Sequence, residues 1–355
     1  MELSVLNDNL LPIAIADVFD SGIWTDRYCG CGDFEIYTAM NNPLKNLLCI
    51  DYYLQFKDSE HTMVVEDHQV KSDIENGDHL IITGRSLESI IDRRIIWRQT
   101  ILTGNLQNGV EKLLNENAIN PADPTRKISR LIFEASTDPI ITALTIDAQF
   151  TGDNLYDAIK KLCSSSKIGF KITLTDSGQF VFKLYAGADR SYNQLANPYV
   201  VFSPKNENLV NSSSVESKKT LRTVTLVAGE GEGIARKTAT VEAPSGGASD
   251  LARRETFTDA RDVSSTVDGR TLTADEYNAQ LKQRGSIDLA SKIAIKSFEG
   301  QANTVRSYKY GEDFFMGDVV QLIDKYGSEN VTRVTEMVVS QSTSGISANP
   351  TFSTV

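Results

Sequence analysis

The 355-residue sequence predicts an α+β fold that is mainly β. Two regions are rich in short runs of β-branched and aromatic residues separated by turn residues, one over residues 13–84 and the other from residue 199 to the C-terminus. Between them, apolar residues recur at spacings of three and four, which indicates helices. The prediction is therefore two β regions with an α/β piece between them.

The first β region has five predicted strands followed by a short helix. The strands lie at 13–19, 34–40, 47–56, 62–70 and 79–83. Antiparallel strands at this spacing are typical of a small barrel or a sandwich. Residues 84–86 then open a predicted helix with Leu87, Ile90 and Ile91 on one face.

The middle third is predicted as an α/β insertion. One helix lies within 106–119 and stops before Pro121, and a second spans 153–163 with Leu155, Ile159 and Leu162 on one face. Strands at 170–175 and 180–185 follow, and Asp176-Ser177-Gly178 between them predicts a hairpin.

The second β region is interrupted by a helix and completed by the C-terminus. Its predicted strands lie at 199–202, 208–217, 221–228, 234–241 and 304–310, with a closing hairpin over 311–339. Thr273 and Glu276 fit a capping box, so a helix is predicted from there towards residue 298, with a break at Gly285. The composition of residues 244–249 predicts an exposed loop.

These segments give four predicted domains or insertions. Residues 1–100 form a first β domain and 101–205 the α/β insertion. Residues 206–242 and 300–355 form a second β domain, which is interrupted by a loop and helical insertion at 243–299.

The charge of the chain bears on its partners. A formal net charge of −11 and a pI near 4.9 argue against a surface that grips nucleic acid, because such affinity comes mainly from Lys and Arg. Transient contact with DNA stays open, since an acidic wall would let DNA slide past without sticking. No apolar run is long enough to span a bilayer, and the N-terminus lacks the features of a signal peptide, so we expect no membrane insertion.

The sequence displays no catalytic signature. It has no Gly-x-Ser-x-Gly or His-Glu-x-x-His motif, and Cys29 and Cys31 lack a second Cys or His pair to complete four zinc ligands. The glycine-rich turn 229–233 carries two carboxylates, which would oppose a phosphate. His61, His68 and His79 are interpreted as solvated or core residues. We therefore predict no catalytic, cofactor-binding or metal-binding residues and no enzyme activity.

Several short segments, taken in order, resemble one protein family. They contain these residues: Gly32 and Phe34; Gly84, Arg85 and Arg93; Gly187 to Arg190; Val201 to Ser203 with Asn208; Gly229 to Arg236; Arg253, Arg254, Glu255, Arg261 and Asp262; and Gly317 with Asp318. The set resembles the siphophage tail-tip proteins that are related to the baseplate hub of contractile-tailed phages, and to the N-terminal hub part of tail-associated lysins. The sequence departs from that family at Cys29-Gly30-Cys31, where a polar turn is usual.

The resemblance implies a structural role. It implies two tube-like antiparallel β-barrel domains in each chain, with three chains forming a ring of six barrels. Such a homotrimer would join the sixfold tail tube, or a distal tail protein, to a central spike or fibre protein, with the tape measure protein as a further candidate partner. The chain would then lie at the distal tail tip of the virion, around the DNA channel, after synthesis in the host cytoplasm. Twelve of these residues are expected to serve assembly: Gly32, Phe34, Gly84, Arg85, Arg93, Arg253, Arg254, Glu255, Arg261, Asp262, Gly317 and Asp318.

Two other functions stay open at this stage. One is a tail-associated hydrolase that degrades the cell wall, and the other is a receptor- or carbohydrate-binding tail module that uses the loop near residues 244–250. The charge-dense segment 251–262 also has two interpretations, because its charges can pair across a subunit boundary or form a solvated face.

Overall fold

The structure is a computed structural model that describes residues 1–40, 43–74, 77–244, 246, 248–267, 269–302, 308–327 and 329–354. Strands make up 42% of the chain and helices 21%, which confirms the predicted α+β, mainly β class. The chain divides into two compact units, Met1–Ile90 with Gly169–Val215 and Lys296–Val355, and Ile91–Ile168 with Glu216–Ile295.

The strands and helices are numbered in chain order. The strands are β1 Leu3–Leu6, β2 Pro12–Ala16, β3 Ser21–Arg27, β4 Asp33–Ala39, β5 Tyr53–Phe56, β6 Thr62–Asp73, β7 Gly77–Ser86, β8 Thr100–Asn105, β9 Leu131–Glu134, β10 Thr145–Phe150, β11 Gly169–Leu174, β12 Phe180–Tyr185, β13 Val201–Phe202, β14 Leu209–Ser217, β15 Val224–Ala228, β16 Thr238–Glu242, β17 Glu255–Asp259, β18 Thr266–Val267, β19 Arg270–Thr271, β20 Ile295–Ala302, β21 Val319–Ile323, β22 Glu329–Ser342 and β23 Gly345–Thr354. The helices are α1 Leu44–Leu47, α2 Leu106–Leu114, α3 Pro139–Thr142, α4 Leu155–Ser165 and α5 Ala274–Ala290. No helix in the described part of the chain is long and apolar enough to cross a membrane.

The first unit is built on one sheet that contains both β regions. Among the described residues, 13 strands join in the order β14-β20-β23-β22-β3-β4-β7-β6-β5-β1-β2, with β21 attached to β22 and β13 to β21. The two regions meet where β22 pairs with β3 in an antiparallel ladder from Glu336↔Arg27 to Gln341↔Gly22. The β11–β12 hairpin predicted from Asp176-Ser177-Gly178 is also present in this unit.

Each β region has its own hydrophobic core. The core of the first region contains Trp24, Phe34 and Met63, and that of the second contains Phe202, Val334 and Phe352. Burial alternates along β4, where Phe34 and Ile36 point inward and Glu35 is exposed, as expected of a strand with one face on a core. The chain therefore carries two β layers with separate cores on one continuous sheet.

The second unit is α/β. Strands β8 and β10 pair antiparallel. Strands β16, β15 and β17 form a three-stranded sheet in which β15 and β17 run parallel. Their inner face packs on α5 around Val227, Ala239, Tyr277 and Leu281. The predicted boundaries place β15 and β16 in the second β domain, whereas these strands pair with each other and with β17. The four-domain division stays a prediction.

The structure corrects several local predictions. The capping box at Thr273 and Glu276 is confirmed, but α5 continues through Gly285 without a break and ends at Ala290, and residues 295–302 form β20 instead of helix. Residues 84–86 belong to β7, and the helix after them is a 3₁₀-helix at Leu87–Arg93. The predicted strand at 304–310 lies largely outside the described residues, as do Ser245 and Gly247 of the predicted loop.

Gly285 lies in the middle of a helix because the helix packs tightly on the sheet there. A Cβ at this position would lie 2.6 Å from Val227 Cγ2 and 2.7 Å from Val241 Cγ2. Contacts this short do not occur between unstrained carbon atoms, so a side chain would push α5 away from β15 and β16. Close packing, and not a helix break, explains the glycine.

We predict that Gly285→Ala destabilises the protein while Gly109→Ala in α2 stabilises it. Alanine gains about 1 kcal/mol of helix propensity at either position. At Gly285 the clash is expected to cost about 1–3 kcal/mol. At Gly109 the nearest atom to a Cβ, Ile146 Cγ2, is at an ordinary 3.5 Å. Urea unfolding followed by circular dichroism measures both free energies; equal gains for the two variants would contradict the tight packing at Gly285.

Candidate assembly site

The carboxylate of Asp318 is buried and accepts three hydrogen bonds. Its Oδ1 accepts the backbone N–H of Ala188 at 2.7 Å, and its Oδ2 accepts Arg190 Nε at 2.7 Å and the N–H of Phe315 at 3.0 Å. The side chains of Asp318 and Arg190 are only 3% and 15% exposed, so this is a buried ion pair. Removing one partner of such a pair leaves a buried charge uncompensated.

Two constraints require glycine at position 317, just before Asp318: its backbone conformation and the lack of space for a side chain. Its φ of +88° lies in the left-handed region that favours glycine. A Cβ on Gly317 would lie 2.3 Å from the ring of Tyr28, and a Cβ on Gly187 would lie 1.9 Å from the Gly317 carbonyl carbon. Arg333 donates to the Gly317 carbonyl at 2.6 Å and lies over the Tyr28 ring. Three chain segments thus meet at one glycine.

Other segments that resemble the tail-tip family come together around this turn. The backbone of Arg190 donates to Val319 O at 2.7 Å, and Val319 N donates to Ala188 O at 2.9 Å. Strand β13 runs parallel to β21, with Val201 opposite Gln321. The side chain of Asn208 closes the loop after β13 by bonding to Ser203 N and Val201 O. Segments near residues 28, 188, 201 and 317 therefore form one packed site, although they lie far apart in sequence.

A second group of the predicted residues lies in the first β region. Phe34 on β4 pairs with Gly84 on β7, and a Cβ at Gly84 would lie 1.8 Å from Val64 O and 2.7 Å from the Phe34 ring. Gly32 has a similar constraint, since a Cβ there would lie 2.2 Å from Thr25 O. Arg85 makes a two-bond ion pair with Glu66. The two glycines therefore allow the buried Phe34 ring and the neighbouring strands to approach closely.

The remaining predicted residues lie in the second unit. Arg253 pairs with Glu255 at 2.6 Å, and Arg254 donates to Lys218 O at 2.7 Å. Asp262 pairs with Arg284, and Arg261 lies 3.9 Å from Asp259. These charges pair within their own unit and not with the Gly317-Asp318 site. Arg93 is exposed at the end of the 3₁₀-helix.

The sequence analysis missed a buried charged cluster formed by Asp26, His61 and Glu88. His61 Nδ1 lies 3.2 Å from Glu88 Oε1, an ion-pair distance without hydrogen-bond alignment. Glu88 also accepts Ser86 Oγ and, at 2.7 Å, the N–H of Ile172. Asp26 accepts Ser59 Oγ at 2.8 Å and Trp24 Nε1 at 3.0 Å. These residues come from β3, the loop between β5 and β6, the end of β7 with the 3₁₀-helix after it, and β11. No short sequence pattern could therefore reveal the cluster.

The cluster holds His61 protonated. Burial lowers the pKa of His61, but Glu88 and Asp26 together raise it further, to about 9. Burial raises the pKa of Glu88, and the opposing effects of His61, Ser86 and Ile172 leave it lower than usual. A protonated imidazole cannot act as a general base at neutral pH, and Ser59 donates to Asp26 and not to His61. The arrangement therefore gives His61 a role in packing, as the cation between two buried carboxylates.

Within the described ranges no group of three or more His, Cys, Asp or Glu side chains could hold a metal ion. All four cysteines lie in those ranges, and none forms a disulfide.

We predict that Gly317→Ala destabilises the protein more than Gly327→Ala. Both glycines have a φ near +85°, so alanine at either position costs about 1–2 kcal/mol of backbone strain. Only Gly317 has neighbours within 4 Å of a Cβ, and overpacking against Tyr28 adds about 1–3 kcal/mol. Thermal and urea unfolding measure the difference. If the chain forms the ring expected from its sequence, Gly317→Val, with its larger side chain, should impair ring assembly while the α/β part stays folded. Normal assembly of this variant would contradict the placing of the turn in a ring.

We predict that stability falls as the pH rises from about 6.5 to about 9. The pKa of His61 is about 9 in the folded state and 6.5 in its ordinary state. Because the pKa of His61 is higher in the folded than in the unfolded chain, protonation of His61 stabilises the fold fully below pH 6.5. This stabilisation, roughly 3 kcal/mol, is lost as the pH rises through the folded-state pKa. Urea unfolding across this range should show a flatter pH dependence of the unfolding free energy for His61→Gln than for the wild type. Equal slopes for wild type and His61→Gln would contradict the charged state of His61.

The chain matches known phage proteins over its whole length. The sequence profile of the family described as Siphovirus ReqiPepy6 Gp37-like protein matches residues 2–353. No curated protein matches the sequence. The fold is similar to that of the 43 kDa tail protein of prophage MuSo2 from Shewanella oneidensis, with a TM-score of 0.59, 12% identity, and 99% of this chain and 98% of that chain covered.

Two further solved structures share the fold. The tail protein from Neisseria meningitidis MC58 has a TM-score of 0.58 and 12% identity, covering 100% of this chain and 96% of that chain. Prophage tail protein gp18 from Listeria monocytogenes EGD-e has a TM-score of 0.55 and 15% identity, covering 99% and 94%. At these identities the likeness shows a shared fold. With the family match over residues 2–353, the chain belongs to the Siphovirus ReqiPepy6 Gp37-like family.

Proposed function

We propose that this chain is a structural hub of a phage tail, which forms a homotrimeric ring at the distal end of the tail. The observation that carries the proposal is the pair of β regions, each with its own core, joined side by side by the β3–β22 ladder. The fold shared with three tail proteins over nearly all of their length supports a role in the tail.

Two β regions in one chain would allow a threefold ring to contact a sixfold partner. Three copies present six β regions, so one face of the ring can contact a sixfold tail tube or distal tail protein. The other face can hold a threefold spike or fibre protein. Soluble homo-oligomers usually have closed symmetry. Here each of the three copies would contribute two β regions, which gives the six that a sixfold partner needs.

The proposed ring surrounds the DNA channel in the virion. A net charge of −11 suits a channel wall that DNA passes without binding, since like charges repel. The tape measure protein is a further candidate partner, because the same channel would hold it before ejection. The twelve predicted assembly residues serve this function in two ways, the glycines, Phe34 and Asp318 through packing and the charged residues of the second unit through surface ion pairs. The Gly317-Asp318 site has the tightest packing together with a buried ion pair.

No observation favours either alternative function. A wall-degrading hydrolase needs a free acid and base, whereas His61 and Glu88 hold each other in their charged forms. A receptor-binding role for the 244–250 loop rests on residues of which Ser245 and Gly247 lie outside the described part of the chain.

We predict a mass of three chains for the assembled protein. Light scattering on the purified chain and native mass spectrometry on the hub released from tails should both give a trimer, about 117 kDa from a chain of 39.1 kDa (3 × 39.1). Electron microscopy of tails should place it at the distal end. A monomer in the particle, or a ring of another order, would contradict the proposal.

A further inference from the structure

Large aliphatic side chains are exposed at the N-terminal edge of the 13-stranded sheet. Strand β2 ends the strand order, with β1 beside it. The exposed residues are Leu11, Ile13, Ile15 and Val18, and Ile15 is 62% exposed. Isolated exposed aliphatics are common on protein surfaces, but four within eight residues form a patch that is typical of an interaction surface.

Carboxylates flank this patch along the chain. Glu2, Asp8, Asp17 and Asp20 are all exposed and outnumber the neighbouring cation Lys57, which lines one groove together with Glu2 and Ile15. The first Lys or Arg of the chain is Arg27. We call these four carboxylates and the four aliphatic residues the acidic N-terminal face. Pro12 lies in β2, and the register shifts between Val5 and Leu6, so the edge is poorly suited to the addition of another strand. A partner would therefore contact its side chains.

A surface with the opposite charge lies in the second unit. It contains Arg94, Ile95, Trp97, Arg98, Arg126 and Lys127, which we call the cationic Trp97 patch. Arg126 lies 4.2 Å above the Trp97 ring and donates to Ile95 O at 2.6 Å, while Arg94 Nε donates to Arg126 O at 2.7 Å. The indole is 58% exposed and Ile95 is 44% exposed, so apolar surface lies between the cations.

The guanidinium groups of this patch are held close together mainly by backbone carbonyls. Burial and the neighbouring Arg94 lower the pKa of Arg126, against a smaller opposite effect of Asp123. Asp123 itself accepts hydrogen bonds from Thr125, and Asp92 accepts from Asn154. Two cations kept near each other in this way attract a carboxylate-bearing surface from outside.

We infer that the acidic N-terminal face of one copy docks on the cationic Trp97 patch of a second copy of this chain. This inference rests on the proposed homotrimer and names a contact within it. The two surfaces match in three respects, since each has an apolar centre, each has a charged rim, and the rims are opposite in sign. The contact joins different surfaces of the two copies, and such a head-to-tail contact is compatible with a ring of three, which closes when each contact turns the chain by a third of a full rotation.

Nucleic acid is a weaker candidate for the Trp97 patch. Phosphates would pair with its cations, and an exposed indole can stack on a base. That ligand would leave the acidic N-terminal face without a partner, whereas a second copy covers both surfaces. Ile95 also suits an aliphatic partner such as Ile13 or Ile15 better than a phosphate backbone.

Reciprocal charge reversal tests the contact. Asp8→Lys with Asp17→Lys, or Arg98→Glu with Lys127→Glu, should each weaken trimer formation roughly tenfold or more, because attraction becomes repulsion at the rim. Mixing these two variant chains restores two of the three contacts in a mixed trimer and leaves one mismatched, whereas placing all four changes in one chain restores opposite charges at every contact. The fourfold variant should therefore recover most of the wild-type trimer affinity, measured by analytical ultracentrifugation of the full chain. Ile13→Ser with Ile15→Ser should weaken the trimer without rescue.

Matched controls lie outside both surfaces. Lys282→Glu on α5 reverses an exposed charge, and Ile234→Ser removes a fully exposed aliphatic, so both should leave trimer affinity unchanged. If the wild type is a trimer and the charge-reversed variants assemble equally well, the contact is overturned and the hub proposal stands. If the wild type is monomeric, both are overturned. If Arg98→Glu with Lys127→Glu loses only the binding of a single-stranded oligonucleotide, the patch serves nucleic acid and the contact is overturned.

Discussion

The buried ion pair between Asp318 and Arg190 is the interaction on which the packing of the second β region depends. A buried carboxylate is stable only when its charge and lone pairs are satisfied, and the donors to Asp318 come from residues 188, 190 and 315. The loop after β12 must therefore lie against the start of β21. That position in turn leaves no room for a Cβ at Gly187, which would lie 1.9 Å from the Gly317 carbonyl carbon. One charge thus accounts for a glycine and the course of a loop, whereas Gly317 is constrained by its own φ and by the Tyr28 ring.

The same site is connected to the seam between the two β regions. Trp24 on β3 belongs to the first core and Tyr28, just beyond β3, to the second, so this short segment serves both. Tyr28 N donates to the carbonyl of Thr335, which is the extra residue where the β22–β23 register shifts. The Tyr28 ring also contacts the Gly317 position. A change at Gly317 therefore acts on the seam through Tyr28, and not only on its own turn.

Local patterns in the sequence predicted the elements whose stability is local. The β11–β12 hairpin, α2, α4 and the capping box of α5 each depend on residues a few positions apart, and each was confirmed. Gly285 was misinterpreted as a helix break because its reason, the approach of Val227 and Val241, lies on other elements. The Asp26–His61–Glu88 cluster was missed for the same reason. Both features depend on residues that are far apart in the sequence and meet only in the folded chain, so a single sequence does not reveal them.

The net charge of this chain is a poor guide to its partners, because the charges are unevenly distributed over the sequence. The value of −11 argues against a surface that grips phosphates, yet it is a sum over surfaces that act separately when screening limits each charge to a range of about 10 Å. The first 26 residues carry no Lys or Arg, whereas Arg126 lies over the exposed indole of Trp97, and Arg94, Arg98 and Lys127 are neighbours of these two residues in the sequence. Two such surfaces would attract each other between copies even though the copies repel as whole molecules. In the proposed trimer, orientation would then decide whether two chains bind, which would favour one defined contact over random association.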